Sequence, residues 1–596
     1  MKKKVAIIGA GPCGLCALKE MLEAGHDAIA FEQASMIGGA FAHESTYGPL
    51  SLTISNYFMA FSDFPPDGYV EYSSKEDYLQ YLQRYTEHFN LYQKIQFNSS
   101  VQHATLNPQD NKWTLQVLHA DTLKEHIFDA LVVATGANAT SQPNIPEFPG
   151  FTGEIYHSIH YSESLKKKFQ EEQKKVLVVG AGESSADVAH HLSLVTTTFL
   201  WSRRPPLLGP RFLAPVKEMD GLARKMPLNT FLEWTTISRL HTGLGLALYS
   251  LIRQIVWRTL LRGTLATWCR QFSKPSFFRA DSAGYVGKSA LIAEAVEEKR
   301  LDVIVSSSVH CEGKKIFFSG TDREVEVDAI VACTGYKLNF DFLKNVEIAC
   351  DPRAWYKHCI PPKYRDTLFF VGYARPHQGG IPACAEILSR YLALVLRGDR
   401  KLPDDIALQT QKEAEQERKF YVTTPSLNSL VDYTNFMDAI AKEIGCEPQA
   451  PALFRLFNFL GFISLIPLLI TWSYIWLILF LVFSFLQIGL YGAYSFKYLF
   501  FPVWPCWYRQ RGPGARHDIL NSVLKSFPLS SCAFDPITPC VYALYLIQRP
   551  ITCIVFPLYL LFSQREWLKM PIFSFLIPRK FVLHGTKMET KDVFEP

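Results

Sequence analysis

The chain has 596 residues, of which 48% are hydrophobic and 20% charged, with a formal net charge of +5 at pH 7. That length is too great for one hydrophobic core, so about two to four domains are expected. So mild a charge, with no aromatic-basic module, argues against a nucleic-acid partner. The 13 cysteines are odd in number and scattered, which fits a reducing compartment better than a disulfide scaffold.

In chain order, Lys2-Lys3-Lys4 before an apolar run has the outline of a signal peptide. Cleavage there would remove the glycine turn that follows, so the first domain is expected to stay on the cytosolic side. Val5 to Ile8 reads as a buried strand, Gly9-Ala10-Gly11-Pro12-Cys13-Gly14 as a G-x-G-x-x-G turn, and Leu15 to Ala24 as its helix. In this pattern Gly9 turns the chain, Gly11 lets a pyrophosphate approach, and Gly14 lets helix and strand pack closely. Pro12 and Cys13 complete the loop, and the helix N-terminus offers N–H groups to phosphates. The Cys13-x-x-Cys16 spacing inside this turn reads as packing rather than a redox pair. A second strand, Ala28 to Phe31, ends at Glu32, where an acid would hold a ribose hydroxyl.

Gly38, Gly39 and Phe41 form a second close-approach turn, and residues 53–66 read as a pocket-lining loop. Helical spacing follows over 75–89, then short strands, and Ala130 to Gly136 brings the chain back to the dinucleotide. Prolines 143, 146 and 149 mark a linker. The opening theme then repeats: strand Val176 to Val179, a Gly180-Ala181-Gly182-Glu183-Ser184-Ser185 turn, a helix from Ala186 to Leu194, and strand Thr197 to Trp201. This strand ends in Ser202-Arg203-Arg204 instead of an acid, a set suited to a 2′-phosphate. FAD is therefore expected at the first cradle and NADPH at the second.

Residues 205–285 read as a helical insertion. Leu244 to Leu261, punctuated by Arg253, Arg258 and Arg262, would lie at a membrane surface or pack on its own domain. A second strand-plus-turn ending places Thr334, Gly335 and Tyr336 toward the dinucleotide. Gly379-Gly380-Ile381-Pro382 opens a helix, from Ala383 to about Arg397, whose N-terminus would face a flavin. From Leu456 to Phe496 no residue is charged, and basic residues including Arg455, Lys497, Arg509 and Arg511 flank the run. It reads as a two-helix hairpin with both ends cytosolic, or as one span plus an interfacial segment. Shorter apolar pieces between 541 and 577 read as interfacial.

The expected fold class is α/β: two Rossmann-like dinucleotide-binding domains, plus a C-terminal hydrophobic helical membrane region. The FAD domain (1–165 and 331–445) is interrupted by the NADPH domain (166–330), and 446–596 is the membrane-associated part. No metal site is expected.

The stretch Phe151-Thr152-Gly153-Glu154-Ile155-Tyr156-His157-Ser158-Ile159-His160-Tyr161 matches an F-x-G-x-x-x-H-x-x-x-Y signature. From Met1 to about Gly398 the chain resembles the flavin-containing monooxygenases, of the dimethylaniline monooxygenase type with a membrane-bound tail. Tyr161-Ser162 stands where Baeyer–Villiger relatives carry tryptophan, which favours the branch that oxygenates heteroatoms. The resemblance implies that NADPH reduces FAD and that a C4a-hydroperoxyflavin passes one oxygen to an amine nitrogen or a sulfur. O2, a small amine or sulfide and membrane lipid are the implied partners. It also implies a hydrogen-bond donor to that oxygen, either Asn56 or Thr53, since Thr53 occupies the family's asparagine position. His157 is implied as a link between domains, while Asp63 would pair with a nearby base or cap a turn. A Baeyer–Villiger enzyme and a membrane-tethered flavin sensor without oxygenase activity are the competing readings.

Overall fold

The computed structural model describes residues 2–42, 50–68, 70–137, 142–203, 212–217, 223–227, 291–376, 379–420, 429–449, 473–483 and 502–525, with scattered positions between 456 and 471. Ten short strands build two parallel sheets. In chain order they are β1 Lys4–Ile8, β2 Asp27–Phe31, β3 Ile95–Gln96, β4 Ala130–Val133, β5 Glu154–His157, β6 Lys175–Val179, β7 Thr197–Ser202, β8 Leu301–Val305, β9 Ala329–Ala332 and β10 Leu368–Phe370. The first sheet has the order β10-β4-β1-β2-β3 and the second β8-β7-β6-β9-β5. Strands β4, β9 and β10 are buried along their whole length, as expected of parallel strands covered on both faces. The second sheet is thus inserted between β4 and β10 of the first. The signature strand β5 belongs to the second sheet, pairing with β9 from Ala329↔Glu154 to Ala332↔His157.

The helices that position the site are α1 Pro12–Glu23, α2 Asn56–Met59, α3 Lys75–His88, α4 Glu183–Ser193, α5 Ile381–Arg397, α6 Tyr433–Ile444 and α7 His517–Lys525. Leu15, Leu18 and Met21 of α1 share one core with Ile387, Leu388 and Tyr391 of α5. A capping box holds the start of α3: Ser74 Oγ accepts from the Asp77 N–H, and Asp77 reaches back to the Ser74 N–H.

The described residues do not support the expected membrane region. No helix among the described residues is long and apolar enough to cross a membrane. The described part of the 456–496 run includes helical residues over 474–483. The rest of that run is partly, and residues 541–577 wholly, outside the described residues. Beyond it the chain returns to the first domain. Val503, Trp504, Trp507, Tyr508, Leu520 and Val523 are buried in the same core as α1 and α5. Arg509, expected as a membrane flank, is 1% exposed. Within 205–285 the described residues form a β-hairpin, Phe212–Lys217 with Ala223–Pro227, so the insertion is not wholly helical. Leu244 to Leu261 lies outside the described residues.

Docking of 502–525 therefore contributes to the stability of the first domain. Replacing Trp507, 2% exposed, by alanine is expected to cost about 3–5 kcal/mol in urea unfolding.

Candidate active site

The first cradle is set by backbone approaches that leave no room for side chains. Gly9 has φ +103°, and a Cβ on it would lie 2.7 Å from the Ala134 carbonyl oxygen. A Cβ on Gly14 would lie 1.9 Å from the Gly9 oxygen, so α1 meets β1 only because both are glycines. Gly38, at φ +115°, donates its N–H to Ala10 O at 3.1 Å and brings Gly39 against Gly11. Pro12 opens α1, Cys13 packs under Gly372, and Phe41 meets the Tyr78 ring edge-on at 4.6 Å. Glu32 closes the turn from β2. Its Oε2 accepts from Ala10 N–H at 2.6 Å and its Oε1 from Ala34 N–H at 2.9 Å. Each oxygen keeps a second lone pair for a ribose hydroxyl. Helix α1 has no side-chain cap and no acid in its first turn, which leaves its N–H groups for an anion. These residues fit the dinucleotide expected at this turn.

The second cradle repeats the geometry with one substitution. Gly180, at φ +138°, faces the Cys333 carbonyl, where a Cβ would come within 2.5 Å. A Cβ on Gly182 would meet nothing within 4 Å, so this side stays open for phosphate. Ser185, at the third glycine position, is 1% exposed and bonds back to Gly182 O at 2.7 Å. Its hydroxyl therefore closes the first turn of α4 and is not presented to a ligand, whereas Ser184 is half-buried. Ser202 is buried at the end of β7 and Arg203 is exposed beside it. Arg204 lies outside the described residues.

Thr334 and Gly335, expected toward the dinucleotide, also hold a neighbouring segment in place. Thr334 Oγ1 donates to Asn144 O, Asn144 Nδ2 donates to Thr334 O at 3.2 Å, and Asn144 N–H donates to Gly335 O at 3.0 Å. These bonds stitch the two chain segments that cross between the sheets. The signature histidine joins them. His157 Nδ1 accepts from Ile159 N–H at 3.2 Å, so Nε2 carries the proton and donates to Gly335 O at 3.0 Å. Burial lowers its pKa, which keeps the ring neutral in this tautomer. His157 thus ties the end of β5 to the chain leaving β9.

The loop that carries Thr53 and Asn56 lies against the start of α5. A Cβ on Gly380 would sit 2.1 Å from Phe58 O, so loop and helix touch backbone to backbone. Asn56, 7% exposed, opens α2. Its Oδ1 accepts from Tyr57 N–H at 3.0 Å and Glu71 N–H at 3.1 Å, which fixes the direction of the amide nitrogen. Thr53 is half-buried three residues earlier.

A family model described as Flavin-binding monooxygenase-like matches residues 2–218 and 291–458, more than half of the chain. The chain belongs to that family. A 4-hydroxybenzoate brominase (decarboxylating) of Marinomonas mediterranea is 36% identical over 476 residues, covering 76% of this chain and 86% of its own. Flavin-containing monooxygenase 5 of Rattus norvegicus is 27% identical, covering 76% and 84%. Among solved structures, S-allyl-L-cysteine S-oxygenase from Allium sativum gives a TM-score of 0.52 at 19% identity over 89% of this chain and 99% of its own. A cyclohexanone monooxygenase gives 0.52 at 15% identity over 74% and 97%. Those two likenesses establish the fold. As a flavin monooxygenase, the protein is an NADPH-dependent oxygenase that uses FAD and NADPH.

Behind the flavin cradle of this monooxygenase sits an ion cluster that the sequence reading missed, apart from the pairing of Asp63 with a base. Arg509 Nη2 lies 2.7 Å from Glu20 Oε1, 2.9 Å from Asp63 Oδ2 and 2.7 Å from Glu386 Oε1. Its Nε donates to Ser62 Oγ at 2.6 Å. Lys19 pairs with Glu20 at 3.0 Å, with Glu23 at 2.7 Å and with Asp63. The Glu20, Asp63 and Glu386 oxygens lie within 4.8 Å of one another, a spacing that would suit a metal. Here the guanidinium and the ammonium are the cations that fill it. Burial alone would raise the Glu20 and Asp63 pKa values, but Arg509 and Lys19 outweigh it and hold both carboxyls below their usual range. Helical phase was the available signal. Lys19 follows Leu15 by four residues, and Glu386 and Arg390 stand four apart within an otherwise apolar helix.

The sign of the pH dependence follows. Lowered folded pKa values give stability that is complete above the ordinary values of 4.5 and 3.8 and is lost as pH falls through the lowered ones. Glu20→Gln breaks a buried pair and should cost about 3–5 kcal/mol near neutral pH. Urea titrations should show that deficit shrinking as the pH falls below about 4.

Proposed function

We propose that the protein transfers one oxygen atom from O2 to a nucleophilic nitrogen or sulfur of a small molecule, at the expense of NADPH. The observation that carries this reading is the buried Asn56 amide, aligned by two backbone N–H groups beside the Gly379–Gly380 entry to α5. When bound, reduced FAD supplies the activation of O2 to an electrophilic oxygen. The rest falls to the chain. Gly9, Gly11, Pro12, Cys13, Gly14, Gly38, Gly39 and Phe41 shape the flavin cradle, and Glu32 would hold the ribose. Gly180, Gly182, Ser184, Ser202, Arg203 and Arg204 would hold NADPH, the arginines on the 2′-phosphate. Asn56 would donate a hydrogen bond through Nδ2 where oxygen is transferred, with Thr53 as the alternative donor. Tyr57 and Phe58, both buried, keep water from that side of the loop.

A second reading has a specific observation behind it. Two marine bacterial relatives at 36% and 34% identity are 4-hydroxybenzoate brominases (decarboxylating). Bromide is also a soft nucleophile, so the same site would oxidise it and brominate a phenol. The Baeyer–Villiger reading rests on fold likeness alone. For localisation, the 474–483 helix exposes Tyr474, Ile475 and Ile478, a face suited to the surface of a cytosol-facing membrane.

Product analysis with a thioether, a tertiary amine, and bromide plus 4-hydroxybenzoate tests the assignment. Sulfoxide or N-oxide formation matched to NADPH supports the first reading. A brominated phenol supports the second, and peroxide alone contradicts both. Converting Arg203 and Arg204 to alanine should raise KM for NADPH by about 10-fold or more while leaving that for NADH nearly unchanged. Equal effects on the two would remove the 2′-phosphate assignment.

A further inference from the structure

Oxygen transfer as proposed requires three remote segments to stay in register: α1, the Asn56 loop and α5. One side chain touches all of them. Arg509 bonds Glu20 on α1, Ser62 and Asp63 at the end of the Asn56 loop, and Glu386 on α5. It is fully buried, and it lies 51 residues beyond the last position that the family model matches, residue 458.

The surrounding segment is shaped to deliver it. Arg390, one turn after Glu386, donates to Tyr508 O at 3.1 Å and Pro513 O at 2.9 Å. Arg509 Nη1 donates to Gly514 O at 3.1 Å, and Arg516 N–H returns to Arg509 O at 2.8 Å. Gly514 has φ +72°, where a side chain would be strained, and a Cβ there would crowd Arg509 Nη1 at 2.7 Å. Five residues before Arg509, Trp504 stacks on Tyr57 with centroids 4.6 Å apart and an interplanar angle of 30°. The Tyr57 N–H is one of the two that orient the Asn56 amide. The 502–525 segment thus grips the candidate oxygen-transfer loop at both ends, through Tyr57 and through Ser62 and Asp63.

We infer that Arg509 is a positioning residue for oxygen transfer, and that the 502–525 segment is a strap holding Asn56 in place against the entry to α5. The inference rests on the reading of Asn56 given above. The guanidinium reaches five partners at once: Nη2 meets the three carboxylates, while Nε and Nη1 hold Ser62 Oγ and Gly514 O. Lysine keeps the charge but has no second and third nitrogen for Ser62 and Gly514. Arg509→Lys should therefore fold and bind flavin, oxidise NADPH at a near-normal rate, and lose coupling of that oxidation to product.

The test compares Arg509→Lys, Trp504→Leu, Asn56→Ala and the Arg509→Lys/Asn56→Ala double variant. Three readouts are taken: peroxide released per NADPH, tryptophan emission of the flavin-free protein, and melting temperature. Arg509→Lys and Trp504→Leu should each raise the ratio of peroxide to product by about 10-fold, the scale expected of a displacement under 1 Å. Strap loosening should red-shift the tryptophan emission. The double variant should be no worse than Asn56→Ala alone, because both changes act on one group. Guanidinium ion added to Arg509→Ala should restore coupling and the emission maximum together. Unchanged coupling in a folded Arg509→Lys, additive effects in the double variant, or guanidinium that restores melting temperature without coupling would each overturn the inference. A silent Asn56→Ala would instead overturn the reading of Asn56, and the strap's catalytic role with it.

Discussion

A carboxyl group removed from water must be matched by a cation or keep its proton, and three such groups meet behind the flavin cradle: cations hold Glu20 and Asp63 low, while burial pushes Glu386 up. Glu20 and Asp63 near the start of the chain and Glu386 more than 300 residues later share the Arg509 guanidinium, with Lys19 on one flank. Removing one partner from such a cluster costs about 3–5 kcal/mol, because the remaining charges stay buried without compensation. Apolar residues of similar volume would often be as stable, so the cluster is better understood as a device for registration than for stability. It brings the phosphate helix, the candidate oxygen-transfer loop and the helix aimed at the flavin to one point, and it makes the late strap part of the first domain.

The rest of the site follows from backbone proximity. Gly14 against Gly9 brings helix and sheet closer than any side chain permits, and Gly180 lies as close to the Cys333 carbonyl where two strands end, approaches that shape the two glycine turns. Between them, His157 and Asn144 tie the crossing segments through backbone carbonyls. A neutral histidine with both nitrogens committed makes a stiff link that does not change charge near neutral pH.

Much of this was legible in the sequence because it depends on local pattern. The glycine spacings, the apolar strands and the terminal Glu32 each act within about 30 residues, so strand, turn and helix could be read directly. What escaped depends on contacts between distant segments. Ser185 has the composition of a ligand-binding serine, yet its hydroxyl is spent on Gly182. Thr334 and Gly335 repeat the ending of the first unit, and their bonds to Asn144 add a tie between the crossing segments. Arg509 follows a long uncharged run, where a basic residue reads as a membrane flank. Only the three carboxylates waiting in the fold make it a core residue. Its partners, Glu20 on α1 and Glu386 on α5, already stood in largely buried helices.

The central claim is that this flavoprotein moves an oxygen atom and does not merely consume NADPH. A single turnover addresses it most directly. The flavin is reduced with one equivalent of NADPH without air, then mixed with isotopically heavy O2 and the acceptor identified by product analysis. The account predicts one heavy oxygen atom in each molecule of oxidised amine or sulfide. Reoxidised flavin with every electron recovered as heavy peroxide, and no label in any product, would contradict it.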